Sequence, residues 1–339
     1  MKIHYFSAEP WEQAYVQGQL AGETVLFYDG SVQAHADVSD NEADALSIFI
    51  DSRIGEAELA RFPRVKYIAT RSTGFDHIDL AACSARGIAV ATVPNYGEHT
   101  VAEFAFALLL ALARKVGEAR AHVRQTGTFT QDGFRGFDLS GKTLGVVGCG
   151  HIGVHAIRMG NGFGMRVLGF DAYPDEAFAR EHRFAYVSLE DLLMQSDIVT
   201  LHVPYNPHTH HLLNTERFQK MKKGSYLINT ARGAVVETAA LVEALKDGTL
   251  AGAGLDVLEE EGEMNEQEEL ALLRVPHPSE AQLKTVLADR YLIDHPRVIV
   301  TPHIAFNTDE AVRRITDTTV ENLRAAARGE TIANAVAGA

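Results

Sequence analysis

Three glycines stand at the spacing G-x-G-x-x-G in the stretch GVVGCGHIG: Gly148, Gly150 and Gly153. The apolar run TLGVV leads into them, and a helix-compatible segment begins near His151. Between a strand and a helix, each glycine has its own task. Gly148 permits a tight turn, Gly150 lets backbone approach a pyrophosphate, and Gly153 lets the helix lie close to the strand. The helix start adds free N–H groups and the positive end of a dipole, which is how an acidic chain can hold phosphates. The next apolar run, MRVLGFD, ends on Asp171. A carboxylate there accepts hydrogen bonds from an adenosine ribose and repels a 2′-phosphate, so the pattern favours NAD over NADP. Tyr173 follows, with no Arg or Lys beside it.

Two further side chains stand just past apolar runs. Arg232 follows SYLINT, at the strand end where open α/β sheets bind their ligands, and a guanidinium can pair with a carboxylate there. His303 follows RVIVTP, and imidazole is the side chain best suited to exchange a proton near neutral pH. From position alone, Arg232 could equally be a surface charge and His303 a structural histidine. The cluster His208-Thr209-His210-His211 has no carboxylate or cysteine with it, so no metal site is expected.

The elements that must position these residues alternate along the chain. Strand-like runs KIHYFS, TVLFYD, LSIFID, VKYIAT and IAVATV are separated by helical stretches such as EPWEQAYVQGQLAG, GEAELARF and IDLAACSARG. A long helical segment is expected from about Glu98 to Gln125, after which the rhythm restarts with TLGVVG, MRVLGFD, DIVTLHV, SYLINT, GAGLDV and RVIVTP. Such alternation is the pattern of parallel sheets with helices on both faces, here in two successive units. Ser188-Leu189-Glu190-Asp191 resembles a capping box with Asp in the Glu position. The stretch from Glu259 to Asp294 breaks the rhythm and reads as a surface insertion with a helix or two, while residues Asp309 to Arg328 have helical periodicity.

Bulk properties limit the partners. At 339 residues the chain suggests about two domains. Its net charge of −14 argues against nucleic acid and anionic membranes as main partners. Cys83 and Cys149 share no metal or redox spacing, so each is expected to be a small buried residue in a reducing compartment. The start MKIHYFSAEP lacks a signal-peptide core, and the run Phe104 to Ala113 falls short of the ~20 residues that span a bilayer and reads as a buried helix. A cytoplasmic protein is expected.

With these motifs in order, the chain resembles the D-isomer-specific 2-hydroxyacid dehydrogenases, most of all their D-lactate dehydrogenase branch, over nearly its whole length. The resemblance is carried by RSTGFDHIDL (71–80), VPNYGEHTVAE (93–103), GVVGCGHIG, LHVP (201–204), INTARG (228–233), GAGLDV (252–257) and TPHIAF (301–306). It implies a fold of two doubly wound parallel-sheet α/β domains. A flavodoxin-like catalytic domain would take residues 1–100 and 305–339, clasping a Rossmann NAD-binding domain of residues 101–304. It implies Arg232 as anchor for a 2-keto acid's carboxylate, His303 as acid/base, and a carboxylate partner for His303 five residues beyond Asp256, which is Glu261. Glu261 sits in the run Glu259-Glu260-Glu261, and Gly262 stands where relatives carry Pro, so a slip within that run stays open. Cofactor contacts implied beside the glycines and Asp171 are His151, Ile152, Val203, Pro204, Thr230, Ala231 and Asp256. Substrate contacts implied beside Arg232 are the backbone of Thr73 and Gly74 and the phenol of Tyr96. Tyr96 and Phe306 carry the likeness to the D-lactate dehydrogenase branch.

The expected function is therefore NAD-dependent hydride transfer between NADH and a small 2-keto acid, pyruvate to D-lactate first. Glyoxylate/hydroxypyruvate reductase is the neighbouring alternative, and an NAD-gated corepressor-like scaffold is the alternative from another class. A phosphoglycerate dehydrogenase is less expected, because little chain follows the final helix to form the regulatory domain common there. In the family the apolar run Phe104 to Ala113 lies on a helix that packs on its twin, so a homodimer is expected.

Overall fold

Each of the strand-like runs becomes a strand, and among the described residues all strand pairs are parallel. The computed structural model describes residues 1–259 and 280–336. The chain divides into two units, Met1–Tyr96 with Thr308–Ala339, and Gly97–Asn307.

In the first unit, β1 (Lys2–Tyr5), β2 (Thr24–Phe27), β3 (Ala45–Ile48), β4 (Tyr67–Thr70) and β5 (Ala89–Ala91) form a sheet in the order β2-β1-β3-β4-β5. That is the flavodoxin-like doubly wound order. Helices α1 (Pro10–Gln19), α2 (Glu56–Arg61) and α3 (Leu80–Ala85) connect the strands. A helix from the far end of the chain, Asp309–Ala327, completes the unit: Val320 and Leu323 pack with Ile3, Tyr5, Ala45 and Ala69.

The second unit opens with α4 (Glu98–Arg114) and α5 (Val116–Thr126). The expected single helix is thus two, parted at Lys115, whose φ of 52° is left-handed. The cause lies elsewhere in the chain. Phe137 N donates to Ala113 O at 3.0 Å, and a Cβ on Gly136 would stand 2.1 Å from that oxygen, so the strap around Gly136 takes the space and the acceptor of a continuing helix. The run Phe104 to Ala113 is a buried helix as expected: Ala105, Phe106, Leu108, Leu109 and Ala113 are buried within the unit. Gly254 makes this possible, because a Cβ there would meet Leu108 Cβ at 2.9 Å.

The sheet of this unit comprises β6 (Thr143–Val147), β7 (Arg166–Phe170), β8 (Ala185–Tyr186), β9 (Ile198–Leu201), β10 (Ser225–Asn229), β11 (Leu250–Leu255) and β12 (Val298–Val300). Its order is β12-β11-β10-β9-β6-β7-β8, the dinucleotide-fold order extended by one strand, with the reversal between β6 and β9. Both faces are covered, as parallel sheets require: Leu144 and Val146 of β6 join one core cluster, and Val147 joins the other. The connecting helices include α6 (His151–Gly162), α7 (Glu176–His182), α8 (Leu189–Gln195), α9 (Thr215–Lys220), α10 (Thr238–Lys246) and α11 (Glu280–Asp294). Ser188 caps α8 as expected, its hydroxyl accepting from Asp191 N at 3.1 Å. Cys83 and Cys149 are both free and buried, and burial pushes the Cys149 thiol up to about 12. Among the described residues no helix is long and apolar enough to cross a membrane.

Candidate active site

The glycine turn does what its spacing requires. Gly148 has φ +91°, and a Cβ there would lie 2.8 Å from the His202 carbonyl, so the turn after β6 is pressed against the turn after β9. At Gly153 a Cβ would stand 2.0 Å from Gly148 O, which fixes α6 close under the turn. Gly150 differs: nothing lies within 4 Å of a Cβ built on it. It is the N-cap of α6, so His151 and Ile152 supply the first backbone N–H groups of that helix. His151 also meets Glu98 through its ring, 3.3 Å from Nδ1 to Oε1. Asp171, one residue beyond β7, accepts from Cys149 N at 2.8 Å and from Tyr173 N at 3.0 Å, which places its carboxylate at the rim of the glycine turn.

Val203 and Pro204 follow β9, the first half-buried and the second exposed. His202, just before them, was not singled out by its sequence context. Burial pushes its imidazole down to about 4; Nε2 pairs with Thr200 Oγ1 at 3.0 Å, while Nδ1 is sealed from solvent with no hydrogen-bond partner among the described residues. Thr230 Oγ1, one residue beyond β10, is likewise buried and unpartnered among the described residues, beside the buried Ala231. An open glycine at a helix start, a carboxylate at the next strand end and an orphaned hydroxyl along one sheet edge fit a dinucleotide. Phosphates, ribose and a polar ring substituent would supply the missing partners.

Arg232 and His303 stand on the same carboxyl edge, three residues beyond β10 and β12 respectively, with β11 between them. Asn229 organises the first turn: its Oδ1 accepts from Ala231 N and its Nδ2 donates to Arg232 O, both at 3.0 Å. Arg232 is half-buried, with Nη1 donating to Ala231 O at 2.8 Å. Asp256 organises the second turn. It is 1% exposed, and its carboxylate accepts from Thr301 Oγ1 at 2.5 Å, Ile304 N at 3.0 Å and Ala305 N at 2.7 Å. Its own carbonyl accepts from His303 N at 2.9 Å. Burial raises the Asp256 carboxyl above its ordinary value, although Thr301, Ala305 and Ile304 pull it down. Among its described bonds, the Asp256 side chain therefore serves the loop that presents His303. His303 itself has φ 52°, a left-handed backbone rare outside glycine, held by the bonds on either side of it.

Glu261 lies outside the described residues. Glu259, at the head of the same acidic run, is described and committed. Its Oε1 lies 2.6 Å from His211 Nε2, and its Oε2 accepts from Thr238 Oγ1 at 2.8 Å and Thr238 N at 3.2 Å. Burial works to raise this carboxyl, but the hydrogen bonds from His211 and Thr238 outweigh it and hold the group below its ordinary value. His211 from the histidine cluster is thus paired to a carboxylate. Among the described residues no group of three His, Cys, Asp or Glu could hold a metal ion.

The remaining expected residues belong to the other unit. Thr73 and Gly74 follow β4, in a turn pinned by Thr73 Oγ1 donating to Val93 O at 2.8 Å and Ser72 Oγ donating to Gly74 O at 2.6 Å. Tyr96 is half-buried after β5, its carbonyl accepting from Arg314 Nε at 2.7 Å. Both turns leave the carboxyl edge of the five-stranded sheet.

Comparison with known proteins agrees with this geometry. Residues 106–305 match the family described as D-isomer specific 2-hydroxyacid dehydrogenase, NAD binding domain. The chain is 35% identical to the D-lactate dehydrogenase of Escherichia coli (strain K12), covering 98% of this chain and 99% of that protein. It is 38% identical to the glyoxylate reductase of Korarchaeum cryptofilum, covering 87% and 83%. A crystal structure of D-lactate dehydrogenase from Aquifex aeolicus, complexed with NAD and lactic acid, matches with a TM-score of 0.83 at 36% identity, covering 97% of this chain and 96% of that one. The chain belongs to the D-isomer-specific 2-hydroxyacid dehydrogenases. It is an NAD-dependent oxidoreductase acting on the CH–OH group of a 2-hydroxy acid.

Proposed function

We propose that this enzyme interconverts pyruvate and D-lactate, in the manner of a D-lactate dehydrogenase. The observation that carries the reading is that Arg232 and His303 stand on one carboxyl sheet edge, on the turns either side of β11, the first organised by Asn229 and the second by Asp256. The dinucleotide, when bound, supplies the hydride. Gly150, the first N–H groups of α6 at His151 and Ile152, and Asp171 would hold its phosphates and adenosine ribose, with Val203 and Pro204 beside the adenine. Thr230, Ala231 and Asp256 would flank its nicotinamide end.

Arg232 pairs its planar fork with the carboxylate of the keto acid and draws electron density toward the keto oxygen. His303 holds the proton that this oxygen receives on reduction, and takes it back on oxidation. Glu261 favours the charged imidazolium and keeps the ring oriented. The backbone of Thr73 and Gly74 and the Tyr96 phenol complete the substrate contacts.

The test is a panel of 2-keto acids assayed by oxidation of NADH and, in parallel, NADPH, with the handedness of the product determined. The highest kcat/KM is expected for pyruvate with NADH, giving D-lactate. The glyoxylate reductase relative favours a second reading, and a higher kcat/KM for glyoxylate or hydroxypyruvate would select it. Binding of NADH with no turnover of any acid would instead mark a scaffold.

A cytoplasmic homodimer completes the proposal. The run Phe104 to Ala113 is used up inside the unit, but α5 has no buried residue and carries Val116 and Val123 on one face, seven positions apart. Phe129 beyond it is 98% exposed. These exposed apolar side chains are offered as the contact for a second copy of the chain. Light scattering is expected to give twice the 37.0 kDa chain mass, and a mass of one chain at micromolar concentration would remove the dimer.

A further inference from the structure

After β11 the chain runs through Asp256, Val257 and Leu258 to Glu259, passing against the turn that carries Arg232. The approach is close: a Cβ on Gly233 would stand 1.8 Å from Leu258 O and 2.5 Å from Glu259 N. Only glycine fits beside Arg232, so the path of residues 258–259 and the path of the Arg232 turn are set together.

The Glu259 side chain then reaches the far end of that same turn. Thr238, whose N–H and hydroxyl it accepts, is the first residue of α10, and a carboxylate at that N-terminus satisfies an N–H that the helix itself cannot. Its other oxygen meets His211, and His211 grips the turn a second time, its N donating to Ala234 O at 2.8 Å. The His211 ring is fixed in turn by stacking on His210, with centroids 3.9 Å apart. Residues 230–238 are therefore held by Asn229 at the start, by His211 in the middle and by Glu259 at the end.

We infer that Glu259 is a positioning residue for Arg232: its carboxylate, shared between His211 and Thr238, sets where the guanidinium stands without touching the substrate. This rests on Arg232 as the keto-acid anchor proposed above. It also assigns the first glutamate of the acidic run a task distinct from that of the partner of His303, since both Glu259 oxygens are already engaged.

The experiment is steady-state kinetics of the full-length enzyme with pyruvate and NADH for Glu259→Ala, Glu259→Gln, Arg232→Lys and the double variant Glu259→Ala/Arg232→Lys. NADH affinity is measured separately by fluorescence. Glu259→Ala is expected to raise the KM for pyruvate about tenfold while NADH affinity stays within about twofold. Glu259→Gln keeps an acceptor for Thr238 and should recover to within about threefold, with its pH–rate profile unmoved. In the Arg232→Lys background the Glu259→Ala penalty should shrink below about twofold, because residues acting through one another are not additive.

An undiminished tenfold penalty in that background would overturn the inference while leaving Arg232 as the anchor. A shifted pH profile in Glu259→Gln would overturn it by making Glu259 the partner of His303. An unchanged KM in Arg232→Lys alone would overturn the anchor and this inference with it. Should Glu259→Ala fail to fold, His211→Asn spares the Thr238 bond and is expected to give the same pattern at smaller size.

Discussion

Arg71 follows β4 in the five-stranded sheet, and Arg232 follows β10 in the seven-stranded sheet. Both stand at carboxyl strand ends, yet their surroundings treat the guanidinium in opposite ways. Arg71 is 3% exposed. Its Nη2 donates to Ser7 O at 2.7 Å, its Nη1 to Ser47 Oγ at 3.3 Å, and its Nε lies 4.0 Å from Glu12 Oε1. The planar group lies over the Tyr5 ring, 4.3 Å from its centroid, and Glu12 also accepts from Tyr5 Oη and Thr316 Oγ1. At Arg232 the described bonds run from Asn229 to the backbone of the turn and from Nη1 to Ala231 O, and the residue as a whole is half-buried. One residue type past two strand ends is architecture where it is sealed among Ser7, Ser47, Glu12 and Tyr5, while at Arg232 a half-buried side chain on a backbone held by Asn229 suits the role of keto-acid anchor proposed for it.

The largest effect that could break this contrast is at the seven-stranded edge. His303→Ala is expected to lower kcat for pyruvate reduction by on the order of 10²–10⁴ while NADH binding stays nearly intact. Unfolding by urea should change by less than about 1 kcal/mol, the range of substitutions outside the core. A large loss of stability in His303→Ala would place that residue with Arg71.

Next in size, Arg71→Met should cost on the order of 3 kcal/mol in urea unfolding, because it leaves the Glu12 carboxylate buried beside an apolar group. The protein that remains folded should keep its KM for pyruvate. A raised KM with unchanged stability would make Arg71 part of the substrate site and dissolve the contrast.

The smallest effect concerns acid. Glu259 is held below its ordinary carboxyl value of 4.5, so its bonds stabilise the fold above that pH and lose their contribution as pH falls through the lower folded value. Asp256 has the opposite sign: its raised value means that protonation on acidification relieves a cost. Glu259→Gln should therefore be less stable than the parent by about 1 kcal/mol at pH 7, with the gap closing below pH ~4.5. A gap that persists or widens at pH 3.5 in urea titrations would show that the carboxylate's charge has no part in it.

Much of this was legible in the sequence. The strand runs were visible because parallel strands buried on both faces are nearly continuous in apolar residues, and Gly148 and Gly153 because the close approaches they allow admit no side chain. Arg232, His303 and Asp171 stood out because each follows an apolar run, and the structure places each just past the carboxyl end of a strand, where such sheets hold their ligands. What stayed hidden depended on distant partners. The break at Lys115 is imposed by Gly136 and Phe137. The two-residue β8 is too short to show periodicity. His211 and Glu259 lie 48 positions apart, so neither a histidine cluster nor an acidic run could reveal their pairing.

The unit of the five-stranded sheet is assembled from both ends of the chain, and this sets an order on the ribosome. Strands β1 to β5 and α1 emerge first, but the core that Ile3, Tyr5, Ala45 and Ala69 form with Val16 and Leu20 is completed only when Val320 and Leu323 arrive. Residues 97–307, contiguous, are synthesised in between. At translation rates of about 5–20 residues per second, that core waits roughly ten to forty seconds for its last residues. The unit encoded first is the last to be completed, and for that interval its unfinished core is the part of the nascent chain most open to chaperones and to aggregation.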